Sequence, residues 1–247
     1  MAIRRLFFDI ETSPCLGWFW RPSFQMSLGY HNIIEQAKII CICYKWSDND
    51  KVYHLNWDSK QCDKLMLKKF IKILNQADEI VGHNSDKFDI KWIRTRCLFH
   101  DIDMMPEYQS LDTLKAVRKG MNFPSNRLDS IGRYLGEGKK IKTTEELWFD
   151  VWRKNSKKAL KGMVDYCKQD VILLEKIFNK INPYIKNKTG ADRDSVIDCP
   201  ECGSDHTIIR GYRTLVSGNK NVKLQCQKCH KYHHVPLRKY YLEKAKK

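Results

Sequence analysis

The amino-acid pattern points to a mixed α/β domain followed by a small β module. Short apolar runs of strand length alternate with helix-period segments through most of the chain. Near the end, two Cys-x2-Cys pairs bracket a β-like stretch. A chain of 247 residues has room for one sizeable domain and one small one.

The elements follow in order. Residues 3–10 form a short, bounded apolar run that reads as a buried strand, and Thr12-Ser13-Pro14 ends it. An unusually aromatic loop, Trp18-Phe19-Trp20 through Tyr30, comes next. It either walls a site or covers the sheet, and cover is the preferred reading. Residues 38–46 and 51–55 read as a hairpin with Asp48-Asn49-Asp50 at its turn, making a meander with the first strand. A helix over about 60–76 follows, then a strand at Glu79-Ile80-Val81-Gly82. Asn84 to Asp86 supply turn and N-cap chemistry for a helix running from Phe88 to Leu98. Residues 158–181 carry apolar groups at a helical repeat, closed by Asn182-Pro183. The expected domains are residues 1–184, a polar linker at 185–195, and a module at 196–247.

Three local patterns carry candidate chemistry. Asp9 and Glu11 stand at i and i+2 on the first strand, so both carboxylates point to one face at its C-terminal edge. Two charges in an apolar run are costly unless something neutralises them; the alternative is a strand end with solvated acids. Asp89 falls in the first turn of its helix, near the positive end of the dipole, where an acid also serves merely to start a helix. Tyr166 and Asp170 are four apart on the last long helix and share a face, about 6 Å apart along the axis. A helix-surface pair with no duty has the same spacing.

Together the patterns resemble the DnaQ-like (DEDD) 3′–5′ exonucleases, on the ribonuclease-H-like fold. The matching residues are Asp9-Ile10-Glu11, Asn84-Ser85-Asp86-Lys87-Phe88-Asp89 and Tyr166-Cys167-Lys168-Gln169-Asp170. Asp165 occupies the place of the histidine of the other branch, so the chain resembles the tyrosine (DEDDy) branch. Asp9 to Pro14, Leu111-Asp112-Thr113-Leu114 and the segment from Leu128 to Gly136 are similar to exonuclease domains of family B DNA polymerases. The resemblance covers about residues 3–181. It implies two Mg²⁺ or Mn²⁺ ions on Asp9, Glu11 and Asp170, with Asp89 completing the set partly through water. It implies that Tyr166 orients the attacking water and that Thr12 and Asn84 contact the terminal nucleotide. The expected activity is metal-dependent 3′–5′ hydrolysis of a single-stranded end, DNA ahead of RNA. An exoribonuclease and a noncatalytic grip module are the alternatives, and the intact acidic set argues against the latter.

Cys199, Cys202, Cys226 and Cys229 form Cys-x2-Cys, a gap, then Cys-x2-Cys, which resembles a zinc ribbon. Four thiolates give a closed structural Zn²⁺ site, and a module this small has too little core to fold reliably without one; coincidental cysteines or redox pairs are the alternative. Net charge is +16, the sign expected of a protein that grips phosphates. Residues 182–247 hold 14 Lys and Arg against 6 Asp and Glu, so this segment contributes +8. The ribbon and its basic aromatic tail therefore suit nucleic acid, or docking to a replication or repair protein. The other six cysteines (Cys15, Cys41, Cys43, Cys62, Cys97, Cys167) read as reduced core residues of a reducing compartment. With no signal peptide and no membrane-length apolar run, a cytoplasmic location without membrane contact is expected.

Overall fold

Strand β1 (Arg5–Thr12) is the organising element, because its alternate residues serve two different faces. Leu6, Phe8 and Ile10 join one buried cluster, whereas Phe7 meets Phe178 edge-to-face on the opposite side, ring centroids 5.3 Å apart. The computed structural model describes residues 4–21, 29–104, 109–139, 143–185, 195–200, 203–215, 218 and 220–245. The chain divides into a unit spanning Arg4–Pro183 and a second that includes the chain from Tyr184 onward.

In the first unit, a two-stranded ribbon of β2 (Leu16–Gly17) and β3 (Ile33–Glu35) follows β1. Next come β4 (Ile39–Trp46), β5 (Val52–Asn56), helix α1 (Lys64–Leu74), β6 (Glu79–Gly82), α2 (Asp89–Phe99) and β7 (Ser110–Asp112). The five-stranded sheet has the order β5-β4-β1-β6-β7. Pairings among β5, β4 and β1 are antiparallel; those among β1, β6 and β7 are parallel. The expected meander and strand at residues 79–82 are therefore present, and the mixed sheet is the one anticipated. Every residue of β4 is buried, as in a strand covered on both faces.

One face is packed by α1 and α2 through Met66, Leu67, Phe70, Ile90, Ile93 and Cys97. Burying apolar side chains of this kind stabilises the fold by roughly 1.5–3 kcal/mol each. The other face lies under α6 (Lys157–Ile181), a 25-residue helix that packs on β1, β4 and β5. Between β7 and α6 come α3 (Thr113–Gly120), α4 (Leu128–Tyr134) and α5 (Glu145–Trp152). Gly132 lets α4 approach α6, since a Cβ there would lie 2.8 Å from Leu173 Cδ1.

Two expectations are refined. The helix expected from about residue 60 begins only at Lys64, because Asp58 Oδ1 accepts the N–H groups of Lys60 and Cys62 and holds a turn. The aromatic segment does not act as cover where it is described: Trp20 is 93% exposed. Its neighbour Trp18 instead donates from Nε1 to His31 O at 3.2 Å, tying the segment to the β2–β3 ribbon. Residues 22–28 of that loop, and 186–194 of the expected linker, lie outside the described residues.

The second unit contains an antiparallel sheet in the order β10-β9-β8, built from β8 (Thr207–Thr214), β9 (Lys220–Cys226) and β10 (Tyr232–Pro236). Helix α7 (Leu237–Lys244) packs on β9 and β10. Its buried cluster is Ile197, Val222, Leu224, Val235 and Tyr240, a small core for an independent unit. Among the described residues, no helix is long and apolar enough to cross a membrane.

Candidate active site

The alternation of β1 sends Asp9 and Glu11 to the face covered by α6. On α6, Asp170 is 1% exposed and Tyr166 is half-buried one turn earlier. Asp89, 4% exposed, opens α2, and its Oδ1 accepts the N–H of Ile10 at 3.2 Å. That bond has a topological cause. Parallel pairing of β1 with β6 extends through Phe7↔Val81, and the Asp89 carboxylate takes the Ile10 donor further along. Asp89 is thereby seated against the backbone between Asp9 and Glu11.

The turn from β6 into α2 is built for this placement. At Gly82 a Cβ would meet the Ser85 Cβ at 2.4 Å, so only glycine leaves room. Asn84 adopts φ 65°, a left-handed conformation that asparagine tolerates well. Its carbonyl accepts from the N–H groups of Lys87 and Phe88. Asp112, at the end of β7, caps α3 through Leu114 N and Lys115 N and also accepts from Asn84 N at 2.9 Å. Asp86 does not cap α2; the cap position is Phe88, and Asp86 bonds Ser110 Oγ and Lys115 Nζ, each at 2.6 Å. Asp112 is thus a positioning residue that spacing alone does not reveal. Its local signals are a carboxylate directly before a helix and its place in the Leu111 to Leu114 segment noted above.

Electrostatics ties the acids together. Burial pushes the Asp9 carboxyl well above the usual range, and the charges of Cys167, Asp89, Glu11 and Asp170 push it further. The sequence places Cys167 only in the core, yet its Sγ lies 3.5 Å from Asp9 O and 3.7 Å from Asp9 Oδ2. Cys167 packs with Cys41 and Cys43; hydrogen bonds from Cys167 and Cys41 lower the Cys43 thiol to about 6, while burial raises Cys167. Two half-buried carboxylates, Asp9 and Glu11, beside two buried ones, Asp89 and Asp170, suit a hard divalent cation and could hold one.

Beside the acids, Tyr166 meets Trp148 edge-on at 6.1 Å. Trp148 also lines a cavity of about 990 Å³ with Thr12, Ser13, Pro14, Phe149 and Trp152. Thr12 thus joins the acids' own strand to this cavity, while Asn84 is on the loop leading to Asp89. In the second unit, Cys199, Cys226 and Cys229 bring their sulfurs within 4.8 Å of one another, Cys199 and Cys229 at 3.5 Å. Lys228 N and Cys229 N donate to Cys226 Sγ, bonds that favour a thiolate. Cys202 lies outside the described residues.

The RNase_H_2 model of the RNase_H superfamily matches residues 6–182, well over half of the chain. The chain belongs to the RNase H superfamily. No curated relative matches it. Among solved structures, this superfamily chain is similar to the family B DNA polymerase from the hyperthermophilic archaeon Pyrobaculum calidifontis, at 18% identity and a TM-score of 0.58. The match covers 74% of this chain and 25% of that one, so the chain spans about a quarter of the polymerase. That likeness is one of fold, and it agrees with the ribonuclease-H-like sheet described above.

Proposed function

We propose that this RNase H superfamily chain is a metal-dependent 3′–5′ exonuclease of the DEDDy kind, acting on single-stranded nucleic acid, DNA ahead of RNA. The observation that carries the reading is the gathering of Glu11, Asp89 and Asp170 around the half-buried Asp9, with Asp89 bonded to the backbone of Ile10 between the two β1 acids. In this reading Asp9, Glu11 and Asp170 hold two Mg²⁺ or Mn²⁺ ions directly, and Asp89 contributes partly through water. When bound, the ions supply Lewis acidity and an acidified water for phosphodiester hydrolysis. Tyr166 orients that water, and Trp148 against its ring limits its motion. The main chain near Thr12 and the side chain of Asn84 contact the terminal nucleotide. The cavity beside Thr12, walled by Trp148, Phe149 and Trp152, has the size and aromatic lining for an unpaired terminal base.

We assign residues 1–184 to the exonuclease domain, 185–195 to a linker and 196–247 to a zinc ribbon. Cys199, Cys202, Cys226 and Cys229 are the proposed Zn²⁺ ligands. The ribbon grips nucleic acid or docks a replication or repair protein. A 5′-labelled single strand, offered as DNA and as RNA with Mg²⁺, Mn²⁺ or chelator, tests the reading. A ladder shortening from the 3′ end only with metal is expected. Asp170→Ala should reduce it by at least about a hundredfold, since even outer-shell changes at metal sites cost 10–100-fold. Full activity in Asp170→Ala with its fold intact would sink the assignment.

A further inference from the structure

Three buried thiols share one face of the sheet with the acids. Cys41 and Cys43 are two apart on β4, so their side chains point the same way. Their register partners on β1 are Glu11 and Asp9, placing thiols and carboxylates in adjacent rows of one face. Helix α6 brings in Cys167 from above. All three cysteines are fully buried, and their sulfurs lie within 4.8 Å of one another. Cys167 also belongs to the group formed with Asp9 and Glu11, at 3.7 Å from Asp9 Oδ2.

Buried cysteine commonly packs as a small hydrophobe. Here, however, three sulfurs gather within 4.8 Å of one another, and an oxygen of Asp9 lies 3.7 Å from one of them, that of Cys167. A tetrahedral ion with metal–sulfur bonds of about 2.3 Å needs donors roughly 3.8 Å apart, which small side-chain rotations reach from these separations. Thiolates select soft cations where carboxylates select hard ones.

We propose that Cys41, Cys43 and Cys167 form a thiolate site for Zn²⁺ or a similar thiophilic d¹⁰ cation, with Asp9 turning from its place beside Cys167 to serve as fourth donor. Binding of the cation releases the three thiol protons, and the proton that Asp9 holds, to solvent, and no electron transfer is involved. Because Asp9 is drawn toward sulfur, a soft ion here disables the neighbouring hard-cation set. That inhibitory consequence rests on the exonuclease reading; the uptake of metal does not. Since the thiols are enclosed, uptake requires α6 to lift from β4 and is slow.

The test uses the whole chain, with Cd²⁺ as probe and sulfur-to-cadmium charge-transfer absorbance as readout, which carboxylate-bound cadmium does not produce. The wild-type chain should hold one more thiolate-bound cadmium than Cys43→Ala and than Cys41→Ala, and Mg²⁺ should not displace it. Equal uptake in wild type and both variants would overturn the proposal. Cadmium NMR of the unaltered chain gives a second readout that does not depend on either variant folding. It should show a three-sulfur, one-oxygen resonance apart from any four-sulfur signal, and its absence overturns the site. In Cys43→Ala, Mg²⁺-dependent cleavage should persist while inhibition by Zn²⁺ weakens at least tenfold. Extra cadmium uptake in a chain that cleaves nothing would support the thiol site and count against the exonuclease reading.

Discussion

At Asp9 the raised pKa has a thermodynamic consequence with a definite sign. A carboxyl held above its unfolded value favours folding while protonated, and that contribution is lost as pH rises from the ordinary carboxylate range through the folded value. Without metal, the melting temperature should therefore decline over that rise. A cation bound by the folded chain alone reverses the loss, by about 2.7 kcal/mol at a hundredfold excess over its dissociation constant. Thermal melts across pH, with and without Mn²⁺, check this. Asp9→Asn should flatten the metal-free slope and shrink the stabilisation by Mn²⁺. A metal response as large in Asp9→Asn as in the unaltered chain would remove Asp9 from the ligand set. The acids themselves are legible in the sequence because each sits in a local pattern: period two on β1, the first turn of α2, and spacing four on α6. Cys41 and Cys43 are not legible as their neighbours. Which residue of β4 faces Asp9 depends on strand register, and no local period encodes it.

Helices α1 and α2 show where elements are held by chemistry that periodicity conceals. Their apolar rows are readable, but nothing in the helical pattern marks Arg96 in α2, which is only 5% exposed. It grips Asp63, the residue before α1, through Nε at 2.7 Å and a second nitrogen at 2.8 Å. His100 lies 2.6 Å from the same carboxylate, which also accepts the N–H of Ile39 on β4. Burial alone would raise the Asp63 carboxyl, but the bonds from Arg96, His100 and Ile39 outweigh it and hold it below its usual value. A depressed carboxyl stabilises the fold above its unfolded pKa, and that stability is lost as pH falls through the folded pKa. Arg96→Met would leave the charge buried and short of partners, costing about 3–5 kcal/mol. Denaturant melts should show that loss, together with a weaker acid dependence, because Asp63 would no longer be held ionised. Asp89 stands in the first turn of α2, so metal affinity should fall as well. A variant as stable as the parent would make the network an ornament of packing.

Over the whole molecule, two units with separate cores should answer separately to metal. The first has a covered five-stranded sheet, whereas the second has only the cluster of Ile197, Val222, Leu224, Val235 and Tyr240. A core that small needs an additional constraint, and Cys199, Cys226 and Cys229 are gathered where zinc would supply it. Cys226→Ser should therefore release zinc and unfold the second unit, detectable as rapid proteolysis beyond residue 185, while the sheet of the first unit melts as before. The same variant asks what the unit is for. Residues 182–247 carry a net +8, and each phosphate gripped on a single strand steepens the fall of log affinity with log salt by about 0.7. If the ribbon grips the substrate, its unfolding should weaken strand binding and flatten that slope in proportion to the phosphates it releases. If it serves a protein partner, both affinity and slope should stay as they were. In that case any strand binding would rest on the charge excess of residues 1–181 alone.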